Sequence, residues 1–148
     1  MDIVIAKLTP ADTHRLSQLL DIYEEVFSMN DFTRPTPDYL ERLLRDPAVV
    51  IFVALYEEMV VGGLTGYSLP SVYEESRLLY LYDLGVTPDW QRQGAGTALI
   101  RALLDHCALA GISEVFVQAD LPDEHAIRFY TKNGGSREDV VHFSFSTV

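Results

Sequence analysis

Six consecutive residues, Gln91, Arg92, Gln93, Gly94, Ala95 and Gly96, carry the chemistry most readily read from this chain. An apolar run from Leu78 to Val86 leads into them through Thr87-Pro88, and a helical pattern opens directly after them. Glycine lets a backbone come close to a ligand, and the first turn of a helix presents unpaired amides at the positive end of its dipole. A phosphate or pyrophosphate suits that arrangement. Spacing then sorts the known phosphate loops. A Walker A loop needs Gly-Lys-Ser/Thr, and no lysine lies between Lys7 and Lys132. A dinucleotide fingerprint needs a third glycine where this chain has Leu99, and a second βαβ half after the turn, which here lies beyond the middle of the chain with no such half following. The pattern that remains is Gln/Arg-x-x-Gly-x-Gly, filled by Gln91, Gly94 and Gly96.

Other residues stand out by type. Asp83 interrupts the apolar run beside Leu81, Tyr82 and Leu84. An unpaired buried carboxylate costs several kcal/mol, so Asp83 belongs on an exposed face or in a cleft. Tyr130 sits in the helical pattern Ala126-Ile127-Arg128-Phe129-Tyr130-Thr131-Lys132, where spacing alone reads as amphipathic core. Asp120, Asp123 and Glu124 follow the end of a strand-like segment, where ligands gather in open α/β sheets, and Glu138-Asp139 come shortly after. Such a group suits a polycation, although Asp123 or Glu124 would also serve as a helix cap. His14, His106, His125 and His142 lack metal-ligand spacing, and no metal site is expected. Cys107 falls on the inward face of its helix and reads as a small core residue.

The elements that must position these groups alternate along the chain. Ile3 to Leu8 reads as a strand. Thr9, Pro10 and Asp12 form a capping signal for a helix carrying Leu16, Leu19, Leu20, Tyr23, Val26 and Phe27 on one face. After a loop at Met29 to Arg34, Thr36 caps a second helix that turns Leu40, Leu43 and Leu44 inward and stops at Asp46-Pro47. Val49 to Tyr56 and Met59 to Tyr67 form a hairpin across Glu57-Glu58. The loop Leu69 to Arg77 precedes the strand Leu78 to Val86. A helix Gly94 to Ala110 follows and ends at Gly111. Then come a strand Glu114 to Ala119, a helix Glu124 to Asn133 closed by Gly134-Gly135, and a last strand Val140 to Thr147. This order predicts an α/β sandwich with a mixed sheet.

The glycine loop, its strand and its helix resemble the acyl-coenzyme A pyrophosphate loop of the GNAT N-acetyltransferases, and the element order is that family's over nearly the whole chain. Tyr80-x-Tyr82-Asp83-Leu84, Arg92-Gln93-Gly94, Val117-Gln118-Ala119-Asp120, Tyr130-Thr131-Lys132 and His142-Phe143 are similar to the aminoglycoside 3-N-acetyltransferases of the type I subclass. The resemblance implies a mixed, mostly antiparallel central sheet flanked by helices, with splayed central strands. It implies one acetyltransferase domain over residues 1–148. Acetyl-coenzyme A is then the cofactor. Its pyrophosphate lies on the amides of Gln93, Gly94, Ala95, Gly96 and Thr97, with Gln91 and Arg92 beside it, and its pantetheine arm pairs with the backbone at Leu84 and Val86. Asp83 binds the substrate ammonium and accepts its proton, and Tyr130 protonates the leaving thiolate. Asp120, Asp123, Glu124 and His142 line the substrate side, and a homodimer is expected. The reaction so implied is acetylation of an aminoglycoside, at the 3-amino group, by direct attack. Acetylation of a polyamine, another small amine or a protein lysine stays open, as does a non-catalytic acyl-coenzyme A sensor.

Composition fits this frame. The chain has 148 residues, 48% of them hydrophobic, enough for one domain with a packed core. A net charge of −11 argues against nucleic acid or anionic membrane as partner and is compatible with a cationic substrate. The single cysteine suits a reducing cytoplasm, and the opening Met-Asp-Ile-Val-Ile-Ala-Lys lacks the pattern of a secretory signal. No apolar run approaches the ~18 residues of a membrane span.

Overall fold

A computed structural model describes residues 2–148, which divide into two compact units, one through Gln118 and one from Ala119 to Val148. The first unit is built on a five-stranded sheet in the order β1 (Val4–Lys7), β2 (Val49–Tyr56), β3 (Met59–Pro70), β4 (Arg77–Val86), β5 (Ile112–Val117). The first three pairings are antiparallel and β4–β5 is parallel, which makes the sheet mixed and mostly antiparallel as expected. Helices α1 (Thr13–Val26), α2 (Pro37–Arg45) and α3 (Ala95–Ala110) cover it.

The alternation of β2 shows which helix lies where. Ile51, Val53 and Leu55 join a core cluster with Leu16, Leu19, Ile22, Tyr23 and Leu40 of α1 and α2. Phe52 points the other way and meets His106 of α3 edge to face, with ring centroids 5.8 Å apart. Period-two alternation thus gives the sheet two apolar faces, each with its own helical cover. Leu99, Leu103 and Cys107 of α3 are buried, and burial pushes the Cys107 thiol up, as a core cysteine requires. On the opposite face α1 lies so close to β3 that a Cβ added at Gly63 would stand 2.6 Å from Leu19 Cδ1.

The caps follow their sequence signals. The Thr9 amide donates to Asp12 Oδ2 at 2.8 Å and the Thr9 hydroxyl oxygen accepts from the Ala11 amide, in a single turn of tight helix before α1. Thr36 Oγ1 accepts from the Tyr39 amide at the start of α2. Strand ends shift from the expectation: β1 spans only Val4–Lys7, β3 runs on to Pro70, β4 begins at Arg77, and β5 starts at Ile112 and ends at Val117. The loop between β3 and β4 is correspondingly shorter than the sequence suggests.

The second unit contains α4 (Glu124–Lys132), closed by Gly134 in the left-handed region, where glycine carries no Cβ penalty. Val140 to Thr147 is not a strand here, contrary to the sequence expectation; residues 136–148 form neither helix nor strand. Alternation is present, but a strand also needs a neighbour for its amides and a surface for its apolar face. Phe143 and Phe145 are 77% and 90% exposed.

Candidate functional site

β4 is the strand on which the site is organised. It pairs with β3 from Arg77↔Pro70 to Val86↔Gly62, with one break at Tyr82. Its pairing with β5 ends at Leu81↔Val117, although β4 continues to Val86. From Tyr82 onward the β5-side edge of β4 has no strand partner among the described residues, so β4 and β5 part there. Unpaired backbone groups on a strand edge can be met by an extended ligand lying alongside. Leu84 and Val86 lie on this stretch. Val86 is 8% exposed, so its side chain belongs to the core.

The turn after β4 is braced at several points. The Thr87 amide donates to the Val61 carbonyl at 2.9 Å, and the Trp90 ring packs on Tyr56 at 4.6 Å. Gln91 Nε2 donates to the Val86 carbonyl and Gln93 Nε2 to the Asp89 carbonyl, both at 2.9 Å. The two glutamines of the motif thus hold the turn's shape. Arg92 takes a positive φ of 61° and Gly94 one of 90°, which bends the chain sharply into α3. Gly94 is the N-cap of that helix, with no side-chain cap, and its carbonyl receives the Ala98 amide. The amides of Ala95, Gly96 and Thr97 form the first turn, where no helical carbonyl precedes them to accept. This donor set fits an anionic phosphate group.

Asp83 lies at the start of the open stretch. It is half-buried, and desolvation pushes its carboxyl pKa from 3.8 up to about 6. Its β3 partner is Thr65, whose hydroxyl shares a 2.8 Å hydrogen bond with Tyr23 of α1. Asp83 therefore belongs to the face covered by α1. Tyr67, two residues along β3, has its pKa raised first by burial and then by the Asp83 charge. A carboxylate with a pKa near neutrality can bind an ammonium ion and accept its proton.

The remaining site candidates belong to the second unit. Tyr130 lies on α4 with its ring 5.2 Å from Phe129. Asp123 caps α4, Oδ1 accepting from the Ala126 amide at 3.1 Å, and Glu124 sits in the first turn 3.8 Å from Arg128. The Asp120 carbonyl accepts from the Asp123 amide, and a His142 ring nitrogen lies 3.2 Å from Ser144 Oγ. The helix-cap alternative for Asp123 is thus the geometry found, which leaves Asp120 as the acid of the group not committed to the helix.

The acetyltransferase (GNAT) family model matches residues 16–135. The chain belongs to this family. GNAT proteins draw on acetyl-coenzyme A, and the open β4 edge followed by the donor turn of α3 fits an elongated pantetheine with a pyrophosphate. An aminoglycoside acetyltransferase from an uncultured soil metagenomic sample, solved in complex with trehalose, is 41% identical with a TM-score of 0.96; the match covers 99% of this chain and 97% of that one. The same enzyme solved with sisomicin is 40% identical over the same shares, also with a TM-score of 0.96. A second soil metagenomic aminoglycoside acetyltransferase is 35% identical over all of both chains, with a TM-score of 0.95. An aminoglycoside N-acetyltransferase bound to coenzyme A, 13% identical with a TM-score of 0.81 over 99% and 96% of the two chains, shares the fold. No curated protein matches the chain.

Two features escaped the sequence reading. The Trp90–Tyr56 brace joins residues far apart in sequence, and no periodicity signals it. The other is a break in strand register beside Asp83.

Proposed function

We propose that this GNAT acetyltransferase acetylates an amine of an aminoglycoside, at the 3-amino group, as a cytoplasmic homodimer. The observation that carries the reading is the half-buried carboxylate of Asp83 on the open stretch of β4, upstream of a helix start built to receive phosphate. Structures of similar chains at 35–41% identity are those of aminoglycoside acetyltransferases, which supports the substrate class.

Acetyl-coenzyme A, held by the Leu84 and Val86 backbone and by the turn Gln91, Arg92, Gln93, Gly94, Ala95, Gly96 and Thr97, supplies an activated acyl thioester. Arg92 adds local positive charge in a chain of net charge −11, offsetting a field that otherwise repels an anion. Asp83 binds the substrate ammonium and takes one proton from its nitrogen, which frees the lone pair for attack. The backbone amide near Leu84 would polarise the acyl carbonyl. The Tyr130 hydroxyl holds the proton that the departing sulfur needs. Asp120 and His142 bind further cationic or hydroxyl groups of the substrate, with Asp123 and Glu124 adding negative charge around them. Most of the acceleration comes from holding amine and thioester together, with no covalent enzyme intermediate.

The test is thiol release from acetyl-coenzyme A across aminoglycosides, polyamines and lysine peptides. The expected result is fastest release with aminoglycosides, a product acetylated at the 3-amino nitrogen, and drug resistance on expression. Faster turnover of spermidine or a peptide would overturn the substrate class. Tight coenzyme A binding without thiol release for any amine would make the protein a sensor.

A further inference from the structure

Between Thr65 and Gly66 the register of β3 against β4 slips by one residue: Thr65 faces Asp83, Gly66 faces Leu81, and Tyr82 has no β3 partner. This bulge changes which side chains share a face. In a regular strand Tyr80 and Asp83, three apart, would point to opposite faces. Here Tyr80 pairs with Tyr67 and Asp83 with Thr65, and Tyr67 and Thr65 are two apart on one side of β3. The extra residue brings Tyr80 and Asp83 to the same face, and Tyr82 joins them. Its ring meets Tyr67 edge to face at 5.7 Å and Tyr80 at 5.4 Å. β-Bulges are known to re-aim side chains next to active sites.

The cluster is not core. Leu79 and Leu81, on the other face of the strand, are fully buried, whereas Tyr82 at the centre of the cluster is 60% exposed. Its supports are fixed from behind. Tyr80 stacks on Phe116 of β5 at 4.8 Å and 11°, and its hydroxyl donates to Gln118 Oε1 at 2.9 Å. An open aromatic face held rigid beside a carboxylate attracts a flat-sided ring bearing ammonium groups, through cation–π and CH–π contact together with charge.

We propose that Tyr67, Tyr80 and Tyr82 form a platform for a second ammonium-bearing ring of a polycationic substrate while the reacting amine sits at Asp83, and that Tyr82 is a specificity-determining residue. The proposal rests on the amine-acetylating reading of Asp83 and adds what distinguishes a multi-ring polyamine from a single-ring amine.

The experiment compares wild type, Tyr82→Ala and Tyr82→Phe by calorimetric titration and by steady-state thiol release. The probes are sisomicin and 2-deoxystreptamine, a single ring with two amines. Tyr82→Ala is expected to raise Kd and KM for sisomicin about tenfold, with kcat within about twofold. It should leave 2-deoxystreptamine within about twofold, and Tyr82→Phe, which keeps the π face, should restore sisomicin binding. Sisomicin affinity unchanged in Tyr82→Ala, equal weakening for both probes, or a fall in kcat at constant KM would each overturn the platform. So would a wild type that does not bind sisomicin at all. Tyr82-dependent sisomicin binding without thiol release would uphold the platform and sink the proposed reaction. Tyr82 is exposed, so both variants should retain the wild-type melting temperature.

Discussion

An ionised carboxylate is most costly where water is scarce, and Asp83 occupies such a place. Its pKa lies at 3.8 in an unfolded chain and at about 6 in the fold, the cause being desolvation. The folded state thus holds the proton more tightly. The associated stability is complete below pH ~4 and is lost as pH rises through about 6. Asp83→Asn removes the charge, so it should stabilise the protein at pH 8 and change little at pH 4. Partial exposure and solvent screening reduce the gain at pH 8 to on the order of 1 kcal/mol. Urea melts at the two pH values decide it; an equal gain at both would mean that the charge is not the source. Activity should move the other way. A proton acceptor must be ionised, so kcat/KM is expected to rise through an acid limb near pH 6, and Asp83→Asn should lose about 100-fold or more along with that limb. An ammonium bound at Asp83 favours the ionised form, which places the acid limb of kcat below that of kcat/KM. Stability given up at one residue is a common accompaniment of a tuned catalytic group.

At the scale of elements, glycines at two positions do different work, and the same substitution separates them. Gly94 starts α3 at φ 90°, and a Cβ there would meet nothing within 4 Å. Alanine at this position faces only backbone strain, about 1 kcal/mol, but it disturbs the turn that aims the Ala95, Gly96 and Thr97 amides. Gly94→Ala should therefore weaken coenzyme A binding several-fold, read by calorimetry, with a small drop in melting temperature. Gly63 is a packing position. Its Cβ would stand 2.6 Å from Leu19 Cδ1 and 2.8 Å from the Phe52 carbonyl oxygen, so Gly63→Ala displaces a fully buried Leu19 side chain, crowds the β2 backbone and should cost about 1–3 kcal/mol. An unchanged melting temperature would refute that packing argument. This contrast also marks what a sequence discloses. Gly94 was legible because loop, spacing and helix start are local, as were the Thr9 and Thr36 caps and the alternation of β2. Gly63 and the Tyr82 bulge depend on which residue of another element lies opposite, and nothing local records that. The motif Tyr80-x-Tyr82-Asp83 reads as ordinary alternation, which would leave Tyr80 and Asp83 back to back. One inserted residue in the register puts them side by side.

At the scale of the whole molecule, the C-terminal segment presents apolar side chains to solvent. Val141, Phe143 and Phe145 alternate with polar residues as in a strand that has one buried face, yet all three are largely exposed. The alternation that misled the strand assignment in a single chain is the pattern expected of a segment completed by another. That is the physical support for a homodimer. Charge opposes it: each chain carries −11, so two of them repel. Burial of the apolar side chains must outweigh this repulsion, and salt screens the repulsion while leaving the apolar term largely intact. The full chain should therefore sediment as a dimer, at about twice 16.7 kDa, with a dissociation constant that tightens from 50 mM to 500 mM salt. A chain ending at Asp139 should sediment as a monomer that keeps its helical far-ultraviolet signal, because the deleted residues contribute no helix. A monomeric full chain, or a truncated chain that still dimerises, would remove the C-terminal segment from any role in assembly. Association that loosens with salt would show charge pairing to be the driving force in place of apolar burial.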